Sequence, residues 1–208
     1  LESRMDLSKM IDHKYFLRYL LLSHIILWSA VSLVIDMHPD MIDHWVWSRH
    51  ISLSYYEHPP MVAVVMRFFT TFLPDEFAIK SGSIFFSALI LYLCYKLAES
   101  CFNKRTAALC LLILGVTPYF SLGSLFWHID QAYMVFWLLS LLVVVQWINH
   151  RNHNLILFFS LLVGLGMLSK YIAVFLYPIV FLWALLFPTT KKLLQKWQVV
   201  VGIIISVI

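Results

Sequence analysis

Between Asp36 and Met61 the sequence places three Asp, one Glu, one Arg and four His in one connection of a chain that is otherwise mostly apolar. Carboxylates such as Asp40, Asp43 and Glu57 can take a proton from an attacking hydroxyl. Cations such as Arg49, and His58 when protonated, can stabilise charge developing on a departing phosphate. Further along stand Lys80, His128, Asp130 and Lys170, each isolated at the edge of an apolar run. Ionisable groups set among hydrophobic segments are candidates for function. The mixture suits group transfer from an anionic leaving group. The histidines could suggest metal binding, but none shows the HExxH spacing of a metal-binding helix, so a metal site is the lesser reading.

These residues need elements to hold them in register, and the composition says which kind. The chain is 62% hydrophobic and 12% charged, with a mean hydropathy of +0.83. Apolar runs of helical length in such a chain mean an all-α integral membrane protein with several spans. The net charge of +4 marks cytoplasmic loops in such a protein and is no sign of nucleic-acid binding. Cys94, Cys101 and Cys110 form no CxxC pair and read as buried free thiols. Residues 1–4 precede a plausible start at Met5 and read as a scar from expression.

The first apolar run, Tyr15 to Ile35, follows Arg4, Lys9, Lys14 and Arg18. The positive-inside rule puts the N-terminus in the cytoplasm and the loop of residues 36–76 outside. Trp45 and Trp47 suit a short helix lying in the interface, and His58-Pro59-Pro60 ends it rigidly. Met61 to Leu73 is too short for the roughly 20 residues a span needs, and Arg67 lies in its middle. It reads as a second juxtamembrane helix that does not cross. Later spans then run Phe77–Leu97, Thr106–Phe126, Gln131–Ile148, Leu155–Ser169 and Tyr171–Phe187. A further one starts at Trp197, giving about seven. With this parity Lys104, Arg105, Arg151, Lys191 and Lys192 all fall inside. The last span is still apolar at Ile208, which reads as the N-terminal catalytic region, residues 1–208, of a longer protein.

The same topology gathers Asp40, Asp43, Arg49, Glu57, His58, Lys80, His128, Asp130 and Lys170 on the outer side. Plainer roles stand beside the catalytic ones. Lys80 and Lys170 can snorkel to the interface, Asp130 can cap the helix that follows it, and Trp127 and Tyr133 read as interfacial belt aromatics. Asp40 and Asp43 lie one helical turn apart, so spacing does not choose between them as general base.

The run Trp45–Ala63, with its His58-Pro59-Pro60 step, resembles the first outer loop of the protein O-mannosyltransferase-like and aminoarabinose-transferase-like glycosyltransferases. These have the GT-C architecture and use polyprenyl-phosphate sugars. Asp40 falls at the Asp of the family's Asp-Glu pair, with Met41 in place of the Glu. Phe77-Ala78-Ile79-Lys80 is similar to a Phe-x-x-Arg segment, Trp127–Ala132 keeps the Asp of a third motif as Asp130, and Gly164–Tyr171 resembles a Gly-x-x-x-x-(Ser/Thr)-Lys turn. The resemblance implies a GT-C-like helix bundle and an inverting transfer at the outer face of a bacterial inner membrane. The donor would be a polyprenyl-phosphate sugar, the acceptor a protein, lipid or glycan. Asp40 would be the base, and Asp130 would orient the acceptor or a phosphate-bound divalent cation. His58, Lys80 and Lys170 would hold the donor phosphate, with Arg49, Glu57 and Asp43 near it; no cofactor is required. The rival is a transporter, flippase or membrane scaffold. Transporters hold ionisable groups near the bilayer midplane on interrupted helices, whereas here they cluster at the outer margin.

Overall fold

The computed structural model describes residues 15–56, 58–150, 152, 154–187 and 197–207. Among these the chain is helical, without a β-strand. The helices are α1 Phe16–Ser32, α2 Pro39–Arg49, α3 Met61–Phe72, α4 Asp75–Cys101, α5 Lys104–Val116, α6 Pro118–Leu122, α7 Ile129–His150, α8 Leu155–Ser169, α9 Leu176–Leu186 and α10 Trp197–Val207. Short 3₁₀ turns at Gly123–Leu125 and Tyr171–Phe175 join some of them. By length and composition α4 and α7 can each cross a membrane, and α5 with Pro118–Leu125 can do so as a bent pair.

The contacts divide the chain into two compact units. One comprises residues up to Ile42 with Phe69–His128, the other Asp43–Phe68 with Ile129–Ile208. In the first, α1 and α5 pack on α4 around Phe16, Leu91, Tyr95, Ala107, Ala108 and Leu111. The paired alanines keep the α5 backbone close to α4, the device that helices use where lipid removes the hydrophobic drive. Asn103 starts α5 by accepting the Thr106 amide at 2.9 Å. The third apolar run is not the continuous span expected. Thr117 is extended (φ −70°, ψ 127°), as a residue before proline tends to be. Pro118 opens α6 at its first turn, and the chain bends by 69°. Ser124, in the 3₁₀ turn that follows, is held by a buried triangle. Its hydroxyl is 2.6 Å from Ser87 Oγ and 3.1 Å from His24 Nε2, and Ser87 is 3.0 Å from the same nitrogen.

The second unit is built on α7, α8, α9 and α10 around Trp147, Phe159, Leu162, Val163 and Leu176. A Cβ on Gly202 of α10 would stand 2.3 Å from Ser160 Oγ of α8, and one on Gly164 would stand 3.1 Å from the Ser206 backbone. Glycine at both sites lets the two helices touch. The run Tyr171–Phe187 begins as a 3₁₀ turn before it becomes α-helical. The thiols are free, with Cys101 exposed and Cys94 and Cys110 half-buried, so the expectation of three buried thiols holds for none of them fully.

Candidate active site

In the first unit Asp40 lies inside the first turn of α2. Pro39 is the reason: its fixed φ suits the first helical position, so the helix begins on the proline. The carboxylate is 55% exposed and lines a cavity of about 300 Å³ with His38, Met41, Phe126, Trp127 and His128. His38 Nδ1 accepts the Asp40 backbone N–H at 3.3 Å and stands 3.6 Å from Asp40 Oδ1. Met41 is buried at 1% exposure. A Glu at this position would carry a charge into an apolar wall, which needs a partner to be tolerated.

Trp127 is not a belt aromatic. It is buried, with its ring against Phe69 (5.2 Å between centroids) and Phe86 (5.7 Å). The ring lies flush on α4 because Gly82 has no side chain; a Cβ there would be 1.8 Å from Trp127 Cζ3. The residues that line the cavity are therefore set by a glycine 45 positions earlier in the chain. Lys80 pairs with Glu76 at 2.7 Å, one turn back on α4. That partner has a sequence signal, an i,i+4 Glu–Lys spacing, and so does His38, which sits two residues before the candidate base.

In the second unit Lys170 Nζ donates to Asp130 Oδ1 at 2.6 Å across 40 residues of sequence. Asp130 is the second residue of α7, and its charge there suits the helix N-terminus. Lys170 is extended (φ −157°, ψ 125°) in the turn after α8, and its amide donates to Gly166 O at 2.7 Å. A Cβ on Gly166 would meet Ala173 Cβ at 3.1 Å, so glycine lets the next turn fold back closely. The pair is 40% and 22% exposed on its two sides. Such pairs add about 1 kcal/mol or less to stability.

Also in this unit, Tyr55 stacks on Trp47 (4.8 Å, 10°) and His58 lies against the same indole at 5.9 Å. The Tyr55 hydroxyl reaches the carbonyls of Trp47 and His50 at 3.0 and 3.1 Å and accepts from Ser52 N–H. The Arg49 guanidinium lies 4.9 Å over the Trp45 ring. Asp43 is exposed on α2. Glu57 lies outside the described residues. Of the expected constellation, Asp40, Lys80 and His128 fall in the first unit, and Asp43, Arg49, His58, Asp130 and Lys170 in the second. Among the described residues no three of His, Cys, Asp or Glu gather as a metal site.

Residues 57–208 match the dolichyl-phosphate-mannose-protein mannosyltransferase family. The chain belongs to this family. His58, Lys80, Asp130 and Lys170 lie within the matched residues, while Asp40, Asp43 and Arg49 precede them. The chain is also similar to the lipid A galacturonosyltransferase RgtD of Rhizobium johnstonii, at 29% identity over 73% of this chain. It spans 33% of that protein's length. No solved structure matches.

Proposed function

We propose that the chain is the N-terminal transmembrane part of a glycosyltransferase that moves a sugar from a polyprenyl-phosphate donor to an acceptor hydroxyl on the outer, periplasmic face by inverting displacement. The relative carries lipid A in its name, and we take a lipid as the acceptor class. In this reading the membrane is crossed about seven times, with α2 and α3 lying at the outer surface.

The observation that carries the reading is the Asp130–Lys170 pair. It unites two of the four motifs read from the sequence and presents a lysine on a fixed turn. A donor phosphate offers Lys170 a charge-assisted bond of the same kind as the carboxylate does. Asp130 keeps the ammonium aimed before the donor arrives and then turns to the acceptor. Within the second unit His58 and Arg49 are the further candidates for the phosphate, and Lys80 is the candidate cation of the first unit. Asp40 accepts the acceptor's proton as the new glycosidic bond forms; Asp43 is the competing base. The transporter reading gains one observation, the His24–Ser87–Ser124 triangle beside the broken helix. The two readings differ in product. A transferase releases free polyprenyl phosphate in step with glycosylated acceptor, and Asp40→Asn should cut that release about 10²–10⁴-fold in the complete protein. Movement of intact lipid-linked sugar across vesicles without cleavage would replace this proposal with the transporter.

A further inference from the structure

His38 lines the Asp40 cavity and stands close to the carboxylate, yet the proposed function gives it no role. Its Nδ1 accepts the Asp40 N–H at 3.3 Å. An accepting nitrogen offers its lone pair, so Nδ1 is the ring atom placed to receive a proton. The same Nδ1 lies 3.6 Å from Asp40 Oδ1. That is beyond hydrogen-bond length, so the ring must turn from the amide toward the carboxylate to take a proton. Phe126 meets the imidazole edge-on at 5.4 Å and 77° and limits its swing. The side chain is 49% exposed, which leaves it a path to solvent. The other titratable group lining the cavity is His128.

We propose that His38 is a proton relay for Asp40, taking the proton that the carboxylate has received and handing it to water. The proposal rests on Asp40 being the base. An exposed carboxylic acid can lose its proton to water unaided. A relay matters once donor and acceptor fill the cavity and exclude water from it. The acceptor oxygen bonds to the anomeric carbon, the bond from that carbon to the phosphate oxygen breaks, and its electron pair leaves with the phosphate. The hydroxyl proton goes to Asp40. Asp40 passes it to His38 Nδ1, giving a carboxylate and an imidazolium, and the imidazolium releases one proton to solvent. The base is then ready for the next turnover.

The test uses the complete protein in lipid vesicles with a polyprenyl-phosphate sugar as donor. His38→Ala should lower kcat about 10- to 100-fold, the lower part of the range for proton-transfer groups, with donor affinity unchanged. Added imidazole should restore turnover in proportion to its concentration, because the space left by the His38 ring opens to solvent on its own side. His38→Gln keeps an acceptor for the Asp40 amide but cannot relay, and should be as slow as His38→Ala. Normal kcat in His38→Ala overturns the relay. So does a loss that imidazole leaves untouched and His38→Gln repairs, since that is a helix-start role. A loss confined to donor affinity overturns it too, as a phosphate contact. Asp40→Asn measured in parallel separates the two readings: if it is inactive while His38→Ala is normal, only the relay fails. If Asp40→Asn turns over normally, the base assignment has failed and the relay falls with it.

Discussion

Gly82→Ala adds one methyl group at the point where α4 meets Trp127. The new Cβ would lie 1.8 Å from Cζ3, 2.5 Å from Cη2 and 2.7 Å from Cε3 of the indole, where ordinary contact begins at 3.4 Å. The ring must therefore retreat by roughly 1.5 Å, and misplacement on the scale of 1 Å can cost about 10² in rate. Retreat is obstructed by Phe69 and Phe86, which hold the other side of the ring. Overpacking of this kind costs about 1–3 kcal/mol. Replacing glycine within a helix returns about 1 kcal/mol, so the net loss of stability is about 0–2 kcal/mol and the protein still folds. Activity is the sharper readout, since Trp127 and its neighbour His128 both line the cavity with Asp40. Turnover of the complete protein should fall on the order of tenfold to a hundredfold. Trp127→Phe in the same chain removes one ring and should recover part of that, with a coupling above about 0.5 kcal/mol in a double-mutant cycle. Gly82→Ala with a raised melting temperature and unchanged turnover would refute the packing argument.

Three further outcomes are expected. Lys170→Gln should bind donor lipid at least tenfold more weakly, about 1.4 kcal/mol, with Lys170→Arg closer to wild type and thermal stability nearly unchanged in both. Equal donor binding by the Gln variant would remove Lys170 from the phosphate site. Single cysteines placed at Pro60 and Asp75, in a background lacking Cys94, Cys101 and Cys110, should both react with an impermeant reagent from the periplasmic side; cytoplasmic labelling of either would break the proposed topology. Gly202→Ala should lower the melting temperature by bringing a Cβ within 2.3 Å of Ser160 Oγ, and Ser160→Ala should relieve part of the loss. Ser160→Ala alone should be near neutral, because that hydroxyl has no hydrogen-bond partner among the described residues. A strongly destabilised Ser160→Ala would show that the hydroxyl matters in its own right.

Apolar runs bounded by polar or proline residues read through to the structure with little change. Leu155–Ser169 has the expected limits, and Met61–Phe72 stops one residue short of the expected end, ahead of Pro74. Hydrophobicity over a window carries this information locally. The break after Val116 had a signal in Pro118, but the run stays apolar through it, so hydropathy favours a single span while the backbone rule favours two pieces. The Trp127 environment was not legible, because aromatic residues near span ends suit a belt and a buried wall equally. Only Gly82, distant in sequence, decides between them. The lysine motifs stood out as charges in apolar surroundings, yet their partners did not follow from that. Glu76 was open to an i,i+4 reading, whereas Asp130 reaches Lys170 only through the packing of α7 on α8.

The shortness of α5 bears on the lipid as well as on the protein. Thirteen residues before the bend rise about 20 Å, against a hydrocarbon thickness of about 30 Å. The 15 residues of α8 rise about 22 Å, while the 27 of α4 rise about 40 Å. The helices of this chain thus differ about twofold in length. Where a helix as short as α5 meets lipid the bilayer thins, and where one as long as α4 does so the helix tilts or the lipid thickens, each at a fraction of a kcal/mol per Å. Where the bilayer thins, its headgroups dip toward the midplane. Such a dip lowers the depth at which a lipid-borne phosphate meets protein, and it makes acyl-chain length a variable that acts on this protein without touching any of its residues.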